Sequence, residues 1–182
     1  MIKKKAQIAI KYFVVPIILI LSFSGCTITF DNLSSGTEYH VNDSFYSSYI
    51  KMAVEKYYWG NGKWTDQGVV KVMAGSYSGG TGNDINLNNA NLYFAFPYPI
   101  KNVMLYFGDY GGSKNLVVNG YLTNFNNFVN INGISITGVN VAVTILSTNV
   151  SRKMGVLRLN GTINEFKIGG QELWIDNVSF QK

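Results

Sequence analysis

Two patterns of apolar residues meet in this chain at Cys26. Upstream, Tyr12 to Phe23 form an apolar run broken only by Pro16 and Ser22, with Lys11 just before it. Downstream, apolar side chains recur at every second residue in short segments, the period of a strand with one face on a core. Thr27–Asp31, Asn91–Phe96, Asn102–Phe107 and Asn115–Val118 follow this rule. Val139, Val141, Val143 and Ile145 follow it most regularly. Gly155–Leu159, Thr162–Ile168 and Glu172–Phe180 continue the series. From Tyr49 to Trp59, Ile50, Met52 and Val54 alternate with Lys51, Ala53 and Glu55, which favours a strand, although one helical turn also accommodates them. Trp64–Met73 reads as another half-buried segment, and Tyr39–Phe45 as irregular or a short edge.

Turn signals punctuate these runs. Gly60-Asn61-Gly62 reverses the chain, and Asn119-Gly120, Asn132-Gly133 and Asn160-Gly161 carry the dipeptide that tolerates positive φ in tight hairpins. Residues 75–91, dense in Gly, Asn and Ser, read as one long loop, and long ordered loops are often functional or metal-bound. About nine or ten strands result, with no persuasive helix after Cys26. Without crossover helices the sheets are antiparallel, and two of them must cover each other's apolar faces. The expected fold is an all-β, antiparallel two-sheet β-sandwich of jelly-roll type, with a closed β-barrel as the alternative.

Composition narrows the function. Lys3, Lys4, Lys5 and Lys11 precede Cys26 and no acidic residue does, which leaves eleven basic against ten acidic groups after it. A nearly neutral domain without clustered cations lacks what phosphate backbones demand, so nucleic acid is excluded as a partner. One cysteine makes no internal disulfide, and the fold must rest on its core. Low charge, 21 Asn and 19 Gly describe a polar, uncharged, turn-rich surface.

The upstream run is too short to span a bilayer, which takes about 20 apolar residues. With its lysine-rich start it fits an export signal. The ending Leu21-Ser22-Phe23-Ser24-Gly25-Cys26 resembles the lipobox of bacterial lipoproteins, with Phe23 where Leu is usual. That resemblance implies a signal peptide over residues 1–25 and a single domain over residues 26–182. It further implies acyl chains such as palmitate on Cys26 and a lipid-anchored place in the bacterial cell envelope. Thr27, a non-acidic residue after the cysteine, is compatible with the outer membrane or cell surface over the cytoplasmic membrane.

The domain opens on Thr29-Phe-Asp-Asn-Leu33 and closes on Gly169-Gly-Gln-Glu-Leu-Trp-Ile-Asp-Asn-Val-Ser-Phe180. In the closing segment strict alternation puts Trp174, Asp176, Val178 and Phe180 on one face, with Trp174 interior. An acid among such neighbours must be paired, hydrogen-bonded or ligated. These two ends are similar to the first and last strands of galactose-binding-like and carbohydrate-binding jelly-roll modules. The resemblance implies that first and last strands pair. It also implies that Asp176, with Asp31, holds a structural calcium completed by backbone carbonyls.

Tyr57-Tyr58-Trp59-Gly-Asn-Gly-Lys63-Trp64 groups aromatic rings around a turn, where they stack on sugar C–H faces or else fill the core. Asp109, in the Phe107–Gly112 loop, is a second candidate contact. No catalytic residue is expected. His40 is the lone histidine, and no acid–base pair is signalled, which leaves only a residual case for glycoside hydrolysis. The expected function is non-catalytic recognition of a glycan on a shallow face of Tyr58, Trp59, Trp64 and Asp109. The alternative is a structural or adhesion lipoprotein that contacts an envelope protein.

Overall fold

A computed structural model of the chain describes residues 25–182. The expected signal segment therefore lies almost wholly outside the described residues. In chain order the strands are β1 (Cys26–Ile28), β2 (Glu38–His40), β3 (Ser44–Ser47), β4 (Ile50–Tyr58), β5 (Trp64–Thr65), β6 (Val69–Ala74), β7 (Asn83–Asn88) and β8 (Ala90–Ala95). They continue with β9 (Ile100–Asp109), β10 (Lys114–Val118), β11 (Tyr121–Phe125), β12 (Ser135–Ile136), β13 (Val139–Thr148), β14 (Lys153–Ile163), β15 (Phe166–Gly170) and β16 (Leu173–Gln181). A single 3₁₀ turn, Phe128–Ile131, precedes β12.

Two antiparallel sheets form a β-sandwich. One runs β12-β13-β14-β9-β16-β7-β6-β2, and the other β11-β10-β15-β8-β4-β3, with β5 paired to β4. Both sheets keep free edges, so the barrel alternative does not hold. β16 has β9 along one side, while β7 and β1 share the other end to end. First and last strands do pair, with Cys26 opposite Phe180 and Ile28 opposite Val178.

Alternation builds the core. In β4, Ile50, Met52 and Val54 are buried while Lys51 and Lys56 are exposed, which settles the Tyr49–Trp59 segment as a strand. Val103, Leu105 and Phe107 do the same for β9, and the 3₁₀ turn stacks Phe128 on Phe107 at 3.7 Å between ring centroids. Each such side chain contributes roughly 1.5–3 kcal/mol on full burial, so a core of this extent needs no disulfide.

Two boundaries differ from the pattern. The expected 75–91 loop contains β7, where Ile85 and Leu87 are buried between asparagines. Asn160-Gly161 does not reverse the chain but forms a bulge inside β14, between Leu159 and Thr162. The true reversal follows at Asn164, whose amide donates to Asn119 Oδ1 at 2.7 Å. Asn119-Gly120 is the hairpin turn expected, both residues having positive φ.

A buried polar cluster lies at the β9–β10 turn. Lys114 is entirely buried, ion-paired to Asp109 across the β9–β10 turn, and donates to the carbonyls of Gly112 at 2.9 Å and Asn126 at 2.8 Å. Burial lowers the Lys114 pKa, and the Asp109 carboxylate counteracts that. Removing one partner strands a buried charge. Asp109→Ala should therefore cost about 3–5 kcal/mol in urea unfolding, whereas the double change Asp109→Leu/Lys114→Met should recover most of it.

Candidate functional site

The aromatic cluster lies on the β4–β5 hairpin. The Trp59 amide donates to the Lys63 carbonyl at 2.9 Å, and Gly60 and Gly62 take the positive φ that the tight connection requires. A Cβ at Gly60 would also strike the Asn124 side chain. The rings divide by depth. Tyr57 is buried and its hydroxyl donates to the Ser113 carbonyl. Trp59, edge-on to Tyr57, is 36% exposed, and Trp64, tilted against Tyr58 at 5.1 Å, is 54% exposed. The expected face is therefore split: Trp64 packs with Tyr58 and Trp59 with Tyr57, on opposite faces of the hairpin, and each tryptophan keeps ring surface open to solvent.

Asp109 does not join them. It is buried, its carboxylate is committed to Lys114, and Oδ1 also accepts the Gly111 amide at 3.0 Å. A side chain so enclosed has no place on a shallow binding face. His40 is exposed on β2, at the edge of its sheet.

The closing strand departs from strict alternation. Asn177 has φ 49°, and β16 gains one residue against β9 between Asp176 and Ser179. This bulge inverts the phase, so Leu173, Ile175, Val178 and Phe180 all enter the core. Asp176 and Trp174 are left on the outer face of the sheet. Trp174 is half-buried there against Tyr77, with centroids 4.1 Å apart, and is not interior.

Asp176 is nevertheless fully buried, because residues 75–82 fold down over it. A Cβ at Gly80 would overlap its Oδ2, and one at Gly108 would overlap the Tyr77 carbonyl. Glycine at both positions lets the loop lie flat on β9 and β16. Three carboxylates pin it. Asp176 Oδ2 accepts the Thr81 amide at 3.1 Å, and Asp31 Oδ1 accepts the Asn83 amide at 2.8 Å. Asp84, also fully buried, accepts the Ser78 amide at 2.6 Å and its hydroxyl at 3.1 Å. Asp31 and Asp176, which the resemblance grouped, accept amides two residues apart, Asn83 and Thr81, with Asp31 exposed and Asp176 buried. Asp84 was missed because it sat in what read as loop, and its only signal is an acid at the head of the alternating Asp84–Leu87 segment.

This arrangement is electrostatically costly. Burial, with the Asp84 and Asp31 charges, raises the Asp176 carboxyl to about 7, moderated by the Asn177 and Thr81 amides. Burial, with the Asp31 charge, raises Asp84 to about 6, moderated by bonds from Ser78. Asp176 Oδ1 has no hydrogen-bond partner. Among the described residues no three Asp, Glu, His or Cys side chains converge closely enough to ligate one ion by themselves. Asp176 Oδ1 is an acceptor that a cation would satisfy, while the loop groups that meet the acids are amide donors.

The pH dependence follows from the direction of the shifts. Without metal, the folded chain retains protons that the unfolded chain has released above about pH 4, so this stabilisation is full at low pH and lost as pH rises through about 6 and 7. In EDTA, melting temperature should fall by several degrees from about pH 5 to about pH 8. Asp176→Asn should flatten that slope. An unchanged slope in the variant would show that Asp176 is not its source. Comparisons of the chain with family models, with curated proteins and with solved structures gave no match, so geometry and chemistry carry its functional reading.

Proposed function

We propose that the chain is a lipid-anchored module of a bacterial cell envelope that binds a neutral glycan without cleaving it. The observation that carries this reading is the placement of Trp59 and Trp64. They are exposed on the β4–β5 hairpin, at the end of the sandwich away from Cys26. Cys26 pairs with Phe180, whereas β4 ends beside the β8 residue Ala90, next to Gly170 and the start of β16. From Phe180 back to Trp174 is six residues of strand, roughly 20 Å. An acylated Cys26, with β1 beginning on it, would hold the proximal end against the bilayer with no tether and turn the aromatic end outward.

Ring faces suit the C–H faces of a pyranose, and the neighbouring exposed Asn61 amide suits its hydroxyls. The polar, nearly uncharged surface favours a neutral ligand. Calcium, which normally takes about 6–8 oxygen ligands, would be held by Asp176 with Asp31, Asp84 and carbonyls of the 75–82 loop. It would neutralise the buried carboxylates and fix the loop.

A glycan array probed with the full chain in detergent should give binding to at least one neutral polysaccharide class. Trp59→Ala and Trp64→Ala should each weaken it about tenfold or more while leaving the fold intact. Silence across the array would overturn the glycan reading. Metabolic labelling with an alkyne fatty acid should mark the wild type and fail on Cys26→Ser. Calcium should raise the melting temperature near pH 7.5 and EDTA should reverse it, while no shift in either direction would remove the metal.

A further inference from the structure

A second surface has the makings of a sugar site, and the hairpin does not contribute to it. Tyr77, Asn86, Asn88, Tyr110, Glu172 and Trp174 line a groove of about 280 Å³ on the outer face of the larger sheet. Its origin is local. Trp174 stands in register between Asn86 of β7 and Gly108 of β9. Gly108 has no side chain, so the Tyr77 carbonyl lies on the strand and the Tyr77 ring stacks on Trp174 at 4.1 Å and 24°. Tyr110 closes the other side at 5.9 Å from Trp174 and is held by Arg152, whose Nη1 donates to its hydroxyl at 2.9 Å. The Tyr110 amide donates to the Glu172 carbonyl at 3.0 Å, which fixes the wall between them. Asn86 and Asn88 fall on the outward phase of β7 because Ile85 and Leu87 take the inward one.

We propose that this groove binds one neutral pyranose unit of a polysaccharide. The proposal rests on the glycan reading above and adds a separate site to it. The volume lies just under the roughly 300–1,000 Å³ of small-molecule pockets, which admits a monosaccharide unit but not a folded partner. Aromatic rings supply apolar surface for a sugar's C–H face. Two amides offer both donors and acceptors, and Glu172 offers acceptors only, which matches an array of hydroxyls. Glu172 is the one formally charged lining residue and Arg152 is spent on the Tyr110 ring and hydroxyl, so the groove favours a neutral sugar over an anionic one. A quaternary ammonium would use the same rings by cation–π attraction, but it has no use for paired amides. The Tyr77 wall belongs to the loop pinned by Asp31, Asp84 and Asp176, so the groove is only as rigid as that loop.

The test uses the tryptophans themselves. In the full chain carrying Trp59→Phe and Trp64→Phe, Trp174 is the sole indole and reports on this groove alone. The probes are gluco-, galacto-, manno- and N-acetylglucosamine oligosaccharides at millimolar concentrations, with tetramethylammonium as the competing chemistry. A saturable change in Trp174 fluorescence with one of the sugars is expected. Asn88→Ala and Glu172→Gln, at unchanged melting temperature, should each weaken it about tenfold. No saturable response to any sugar, a response to tetramethylammonium alone, or sugar affinity unmoved by both variants would each overturn the proposal. Array binding that is lost in Trp59→Ala and Trp64→Ala but kept in the groove variants would overturn this site while leaving the glycan reading standing. An array silent for the wild type would overturn both.

Discussion

The distal architecture depends on a loop held down by acids. Residues 75–82 have almost no apolar side chains with which to pack, so they reach the sheet only where glycine permits backbone contact and carboxylates satisfy the amides. Asp31 comes from beside the first strand, Asp84 from the start of β7 and Asp176 from the last strand. Three elements far apart in sequence thus converge on one short segment. Hydrogen bonds to ionised acceptors are among the stronger polar interactions, but burying Asp84 and Asp176 near the exposed Asp31 incurs desolvation and mutual repulsion. Tyr77, and with it one wall of the groove, is placed by that balance.

The bulge at Asn177 makes the balance possible. Under strict alternation, Val178 and Phe180 could be core residues only if Asp176 were one as well. One extra residue in β16 releases Asp176 to the outer face while Val178 and Phe180 remain inside beside Ile28. Left-handed φ at a non-glycine position is tolerated best by asparagine, which is the residue found there. The same strand therefore joins the Cys26 end to the Trp174 end and changes phase between them.

Much of this was legible from the residue pattern. Period-two apolar spacing in β4, β9 and β13 and Asn119-Gly120 as a turn were recoverable because each rests on local chemistry. The pairing of first and last strands, by contrast, came only from the resemblance of the two ends to jelly-roll modules. β7 was hidden because asparagine is a poor strand former and occupies its outward positions, where charged residues would have advertised alternation more plainly. Asn160-Gly161 misled because the dipeptide permits positive φ without dictating how the chain uses it. Here Gly161, at φ 150°, serves a bulge. Asp109 could not be judged at all, since its burial depends on Lys114, and a lysine at zero exposure has no signature in one sequence. The Tyr77–Trp174 groove was invisible for a related reason. It needs the bulge, the glycine at 108 and the loop together, and none of the three is predictable from the others.

Protons and a cation would relieve the same strain in different ways, and this gives the loop its chemical character. A proton on Asp176 removes a charge but leaves the carboxyl a single donor in a space where Oδ1 has no partner. A divalent cation would keep the carboxylates ionised and give that oxygen a ligand role, which favours the ion as pH rises through about 7. With the proposed calcium, the loop's rigidity would track cation activity above neutrality and proton activity below it. Because Tyr77 is in the loop and stacks on Trp174, any such change reaches the groove through one aromatic contact. The hairpin of Trp59 and Trp64 is hydrogen-bonded instead, through Tyr57, to the Ser113 turn, which also carries the Tyr110 wall of the groove. Two aromatic surfaces at one end of the sandwich thus share the β9–β10 turn, and the groove alone adds the acid-pinned loop as a wall.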